Sequence, residues 1–490
     1  MTRGVRTPYQ VTFAVLISGI MAYALLQSLV IPALPTIQHS LHTTQTATTW
    51  LVTAYLLSAS VCTPILGRIG DVFGKERMFV VTLVALGVGT GLAAVSQSIG
   101  LLIVARLIQG AGGGVLPLAF GIIRDEFPRE KVPGAIGFSA AMIAVGSGLG
   151  ITVAGPIVSH LGYHWLFIIP LFLILPAAIA THLLVPRSPV QTAGRVSVPG
   201  ALLLSGWLVA LLLGISQGSS WGWLSWRTDT LFVAAVLIGT VWVRVESRSV
   251  APLIDMQMMR LPAVWTTNLT ALLLGVSMYS VMAFQPEFIQ TPKSAGYGYG
   301  LSIVGTGVLS LPSNVTMFVI GLLSGRIAAR FGSKLPVVAG ALITAGAFVL
   351  MAFAHGAAWE MSAETGLMGL GIGGAFSALS NLVVESVPDH QTGVASGMNA
   401  NIRTIGGSIG SQVCGSLIAA TIVGSTLPKE SGFVTAFVFL AAISVVAAGA
   451  AALIPKPTRL VRQSALEGEE AIAAVVSGAA PVPGRASVPA

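Results

Sequence analysis

The sequence predicts an all-α polytopic membrane protein with fourteen transmembrane helices. Scarce charge, regularly spaced apolar runs and a one-sided distribution of Lys and Arg predict it. Hydrophobic residues make up 54% of the 490-residue chain and charged residues 9%, where a soluble globular protein carries about 25% charged residues. So few charges cannot coat several soluble domains, and so apolar a chain is not disordered over most of its length. The 57 glycines fit helices packed closely in lipid, where small residues let backbones approach. Cys62 and Cys414 both fall inside apolar runs, which gives neither a disulfide framework nor a cysteine metal site.

A crossing helix needs about 20 apolar residues. Such runs fall at about 11–33, 48–67, 78–97, 101–123, 134–158, 163–185, 199–217, 229–243, 263–287, 302–325, 335–354, 360–384, 394–426 and 433–454. The first is too long for a cleaved signal peptide and is followed by further spans. The eighth is the weakest, with about 14 apolar residues before Arg244. The loops flanking spans 7 and 8, at 187–195 and 244–260, are both basic, so an even number of crossings separates them. Trp221, Trp223 and Trp226 precede span 8, as an interfacial belt does.

With the N-terminus inside, inside segments carry 20 Lys and Arg, leaving aside Arg485 far out in the tail, and the outside loops carry three, Arg227, Lys293 and Lys429. That bias places both termini in the cytoplasm and the chain in the cell membrane. The net charge of +8 is then mostly a topology signal, and no nucleic-acid partner is expected. Beyond Pro455 the chain is rich in Ala, Gly, Pro and Val and carries Glu467, Glu469 and Glu470, which reads as a flexible cytoplasmic tail.

The loop after span 2 reads Gly67-Arg68-Ile69-Gly70-Asp71-Val72-Phe73-Gly74, and the loop after span 10 reads Gly325-Arg326-Ile327-Ala328-Ala329-Arg330-Phe331-Gly332. Five of the eight positions match without a gap, and each loop follows the second helix of a six-helix unit. The architecture that follows has an N-terminal six-helix bundle at 1–186, two inserted helices with linkers at 187–260, a C-terminal six-helix bundle at 261–455 and the tail at 456–490. Two units running in the same direction are a transporter device, in which the halves rock about a midplane site.

Over roughly residues 10–455 the sequence resembles the major facilitator superfamily, and within it the fourteen-span drug:proton antiporters. Three motifs carry the resemblance. The first is Gly67, Asp71, Gly74, Lys75 and Arg77 in the loop after span 2. Its glycines permit a tight turn, and a carboxylate at a helix end can pair with bases or with another helix N-terminus. The resemblance implies that this loop locks the cytoplasmic side, with Asp125 as partner of its basic residues. The second is Arg106-Leu107-Ile108-Gln109-Gly110 in span 4. A cation about 9 Å below the outer end costs a few kcal/mol without a cavity or counter-charge, and the resemblance ties this arginine to proton coupling. The third is Gly146, Gly150, Gly155 and Pro156 in span 5, which resembles the signature of exporters. That family usually continues with small residues, where this chain has Ile157, Val158, Ser159 and His160.

The largest departure is in span 1. The resemblance places an aspartate nine residues before the proline of an Ala-Leu-Pro, and counting back from Pro35 gives Leu26, beside Gln27. Neither titrates, and an arginine cannot exchange protons at ordinary pH. Asp229, Glu360, Glu364 and Glu385 lie towards span ends, which leaves Glu287 near the outer end of span 9. Glu287 is therefore expected to supply the titrating carboxylate, with Arg106 tuning it across a shared cavity. Gln27, Gln109, Asn268, Gln285, Asn314 and Asn381 sit at cavity-prone places, each able to serve as an interhelical hydrogen bond or as a substrate contact. Arg403, about two turns into span 13, is expected to snorkel to the inner interface.

The chain has no Gly-x4-Gly-Lys-Ser/Thr loop, so ATP-driven pumping is disfavoured, and no enzyme activity is expected. No cofactor or metal is expected. The expected activity is secondary active export of small hydrophobic or amphipathic compounds by alternating access with proton antiport, by a monomer in the lipid bilayer. A metabolite importer, or a natural-product exporter without tight proton coupling, is the competing transporter reading, fed by the missing span 1 acid. A non-transporting scaffold or receptor is the reading from another class, and it leaves Arg106 and the paired loops without a reason.

Overall fold

The computed structural model describes residues 8–43, 45–187, 197–249, 252–387, 391–418 and 428–455. The expected tail at 456–490, Arg3, Arg6 and Arg195, and the part of span 13 beyond Ile418 lie outside the described residues. Among them, thirteen helical segments are long and apolar enough to cross a membrane. In chain order these are α1 (Tyr9–Ala33), α2 (Trp50–Phe73), α3 (Lys75–Ala94), α4 (Ile99–Glu126), α5 (Arg129–Leu161), α6 (Trp165–Leu184), α7 (Val198–Gly218), α8 (Trp226–Arg248), α9 (Pro262–Gln290), α10 (Val304–Phe331), α11 (Lys334–Phe353), α12 (Ala358–Glu385) and, last in the chain, α14 (Glu430–Ala452). Between α12 and α14, the more polar helix α13 (Thr392–Ile418) occupies the position of span 13. The weak eighth span forms a 23-residue helix.

Contacts between helices repeat with a shift of eight. The pairs α1–α5, α1–α6, α2–α4, α3–α4 and α3–α6 pack together, and so do α9–α13, α9–α14, α10–α12, α11–α12 and α11–α14. The two units meet where α2 packs on α13 and α5 on α10, which are again the same pair under the shift. Helices α7 and α8 pack on each other, with the Trp207 and Trp242 rings stacked 5.4 Å apart. Helix α7 leans on α2 and α13, where the Thr53 and Ser216 hydroxyls lie 3.4 Å apart. Helix α8 turns a mostly exposed apolar face outward, the face a lipid-contacting helix presents.

Two helices break where the sequence supplies a cause. Helix α1 tightens into a 3-10 turn over Ile31–Ala33, with Pro32 inside it. Helix α4 does so over Gly110–Gly114. There the glycines let α4 press onto α2: a Cβ at Gly113 would lie 2.9 Å from the Ala59 carbonyl oxygen and collide with the Thr63 hydroxyl. The break puts the second half of α4, with Arg124 and Asp125, on a separate segment, Val115–Glu126.

Candidate functional site

Three places draw in the residues that carry chemistry. The first is the junction of α2 and α3. Gly74 takes φ 108° there, a conformation open to glycine and strained for other residues, and it turns the chain into Lys75. The Lys75 ammonium is fully buried and donates to Asp125 Oδ2 at 2.7 Å, with Asp71 Oδ1 at 3.9 Å. Its stem lies over Gly121 of α4, where a Cβ would come within 2.6 Å of Lys75 Cδ.

Asp71 then reaches across to the other unit, its Oδ2 accepting from the backbone N–H of Val394 at 3.2 Å. That is the first turn of α13, where unpaired N–H groups and the helix dipole favour an anion. Gly67 allows the approach, since a Cβ on it would lie 2.6 Å from the Gly393 carbonyl oxygen. Five residues of the expected loop motif, Gly67, Asp71, Gly74, Lys75 and Asp125, thus meet at one end of the bundle. Arg77 does not join them: its side chain is 62% exposed, with Nε 3.8 Å from Glu76. Sequence reasoning missed Arg124, which donates to Thr392 Oγ1 at 2.6 Å and to the Val387 carbonyl at 2.9 Å. In the sequence Arg124 reads only as one of the inside Lys and Arg residues that set the topology.

The second unit repeats this junction in weaker form. Gly332 has φ 72°, and a Cβ at Gly325 would lie 2.5 Å from Gly134 Cα. The Ser333 hydroxyl, in the place of Lys75, donates to Glu385 Oε1 at 3.0 Å. Helix α5 meets α1 through the third motif. A Cβ at Gly146 would lie 2.8 Å from Ala24 Cβ, and one at Gly150 would lie 3.0 Å from the Leu25 carbonyl oxygen. The helix runs on through Gly155 and Pro156 to Leu161.

The second place is a cavity between the two units, walled by Tyr23 and Gln27 of α1, Tyr55 of α2, Tyr279 of α9, Phe376 of α12 and Arg403 of α13. Arg106 stands directly behind this wall. It is fully buried, its Nε donates to the Leu51 carbonyl at 3.1 Å, its Nη1 to Gln109 Oε1 at 2.8 Å, and its guanidinium lies 4.2 Å over the Tyr55 ring. Arg403 corrects the expectation of a snorkelling side chain. It is buried, with its guanidinium 4.4 Å over the Phe376 ring and its Nε without a hydrogen-bond partner. Helix α13 buries this face between the two units, so the side chain has no path to the interface.

Of the six amides expected near a cavity, Gln27 lines this one. The others are held elsewhere. Gln109 bridges Arg106 and Thr90, Asn268 accepts from Asn399 at 2.9 Å, and Asn381 donates to the Pro133 carbonyl at 3.2 Å. Asn314 packs on Gly148, and Gln285 reaches the Met361 sulfur at 3.9 Å.

The third place is the far end of the second unit, where Phe288 is ringed by Tyr297, Tyr299, His355, Phe433 and Phe437. The Tyr299 hydroxyl donates to the His355 carbonyl at 3.0 Å, and burial followed by Glu364 and Glu360 pushes its phenol well above the ordinary range. Glu364, expected towards a span end, is 4% exposed, and its Oε2 has no hydrogen-bond partner. Glu287 is exposed beside this cluster, near Tyr297. The expected pairing of Glu287 with Arg106 is corrected: the hydrogen bonds and ring contact of Arg106 run to Leu51, Gln109 and Tyr55. Counting along a helix gives depth, and the helical phase turned Glu287 away from the cavity.

Two repeated six-helix units around a central cavity, built on membrane-length helices, define a polytopic membrane transporter rather than an enzyme. Residues 16–411 match the Major Facilitator Superfamily, and the chain belongs to that superfamily. It is 30% identical over 437 residues to the tetracenomycin C resistance and export protein of Streptomyces glaucescens, covering 86% of this chain and 78% of that one. It is 28% identical over 381 residues to the multidrug transporter protein MdtP of Bacillus subtilis, covering 76% and 68%. The crystal structure of the human organic anion transporter MFSD10 (TETRAN) superposes with a TM-score of 0.67 at 15% identity, covering 91% of this chain and all of the other, a likeness of fold.

Proposed function

We propose that the protein exports small hydrophobic or amphipathic compounds, antibiotics among them, across the cell membrane by alternating access. The observation that carries this is the closed junction that ties Asp71 to α13 and Arg124 to Thr392 and Val387, beneath a cavity between two repeated units. The Lys and Arg bias makes that end cytoplasmic, with both termini inside. The names of its relatives, a tetracenomycin C export protein and a multidrug transporter, support export. The inserted pair α7 and α8 supports membership of the fourteen-span drug:proton antiporter group, with six-helix units at 1–186 and 261–455. We take Arg106 to belong to the coupling machinery, and the chain to work as a monomer on a small-molecule substrate and protons.

Proton exchange needs a carboxylate whose surroundings change in the cycle. Glu287 is exposed and Glu364 is buried with an unpartnered oxygen, so Glu364, faced by Tyr299, His355 and Glu360, is the stronger of the two. Right-side-out and everted vesicles, loaded with a fluorescent substrate and given a pH gradient, test both points. Energised accumulation is expected in everted vesicles, reduced at least tenfold by Glu364→Gln and little changed by Glu287→Gln. Accumulation confined to right-side-out vesicles overturns export, and intact pH-driven transport in both variants overturns the role of these acids.

A further inference from the structure

We propose that the central cavity binds aromatic anions, with the Arg403 guanidinium as the group that holds the negative charge. This rests on the transporter reading and adds the charge of the substrate to it. Arg403 is the only charged residue lining either of the two adjoining cavities among the described residues. It belongs to both, so it stands where they meet. It lies eleven residues beyond Thr392 at the start of α13, about 16 Å along the helix and so near the middle of a hydrocarbon core about 30 Å thick. A cation at that depth needs a counter-charge or a polar cavity. Arg403 has no carboxylate within 4 Å among the described residues, and its Nε is buried without an acceptor.

Arg106 adds a second cation close by. Tyr23 lies within electrostatic reach of both Arg403 and Arg106. Arg106 is held by the Leu51 carbonyl and Gln109 and does not line either cavity, so it contributes field, while Arg403 offers donors to a ligand. The remaining wall is aromatic and hydroxylic, with Tyr23, Tyr55, Tyr279 and Phe376 beside Asn401 and Thr404. Flat rings stack on such a wall, and a guanidinium takes a carboxylate or phenolate through two parallel hydrogen bonds. A cationic compound would meet two positive charges and no carboxylate. The substrate itself therefore supplies the missing counter-charge.

The test uses the purified full-length protein in detergent and two xanthene dyes of similar size and opposite charge, fluorescein and rhodamine 123, with affinities read by fluorescence anisotropy at pH 8. Fluorescein is expected to bind at least tenfold more tightly than rhodamine 123. Arg403→Gln should weaken fluorescein binding at least tenfold and close the gap between the dyes, and Arg403→Lys should restore part of it. Arg227→Gln, which removes the same charge from an exposed position, should change neither affinity. A wild-type protein that does not prefer fluorescein overturns the proposal, whatever the variants do. So does wild-type fluorescein affinity in a monodisperse Arg403→Gln preparation. Binding in detergent has no direction, so an anion preference that depends on Arg403 stands even if vesicle transport runs inward and the export reading fails.

Discussion

A buried Lys75 holding two carboxylates is an expensive arrangement, and its worth at the residue level is open to measurement. Desolvating an ion pair costs several kcal/mol, which close geometry must return, and removing one partner strands the other charge at a cost of about 3–5 kcal/mol. Asp125→Asn takes away the 2.7 Å partner of Lys75 and leaves Asp71 at 3.9 Å, so a loss of about 3 kcal/mol is expected, as a clear drop in the unfolding temperature of the purified protein. Lys75→Met combined with Asp71→Asn and Asp125→Leu removes all three charges and is expected to cost less than Lys75→Met alone, which strands both carboxylates. A triple variant less stable than Lys75→Met would show that the ion cluster, rather than the stranded charges, sets the stability of the junction.

The two loops that first revealed the repeat owe part of their identity to backbone geometry. Gly74 and Gly332 both end a helix at positive φ, and Gly67 and Gly325 both sit where a second backbone comes too close for a side chain. Phe73 and Phe331, each 55% exposed, precede the turns in both loops. Gly332 separates conformational strain from collision, because nothing lies within 4 Å of a Cβ built there. Gly332→Ala is expected to destabilise by about 1–3 kcal/mol, and an unchanged unfolding temperature would rule out φ as the reason for glycine. The positions that differ change the chemistry of the junction, since Ala329 and Ser333 stand in the second loop where Asp71 and Lys75 stand in the first.

At the scale of the whole molecule, the junction is a contact between halves that alternating access must break. Val394 is 2% exposed and its N–H is held by Asp71, so its accessibility reports on that end. In a cysteine-free background, Val394→Cys is expected to react slowly with a membrane-permeant maleimide. Adding Asp71→Asn should speed the reaction at least tenfold, a shift of about 1.4 kcal/mol in the opening equilibrium. Equal rates with and without Asp71→Asn would mean that this carboxylate does not hold the end shut.

The sequence by itself determined the helices and the internal repeat, because each follows from local quantities: the length of an apolar run, the glycines at turns. It also marked Arg106, since a charge inside an apolar run is conspicuous without any fold, and Asp71 and Lys75 through the loop motif that they share with a known family. Only the tertiary structure decided which charges face one another. Whether Arg403 points to the interface or the cavity, and Glu287 to Arg106 or to the rim, depends on helical phase and on which helix covers which face. A residue's depth can be counted along a chain, whereas its neighbours across a bundle are set by packing between segments hundreds of residues apart. That packing turned Arg403 from a topology charge into the charged residue of the cavity wall.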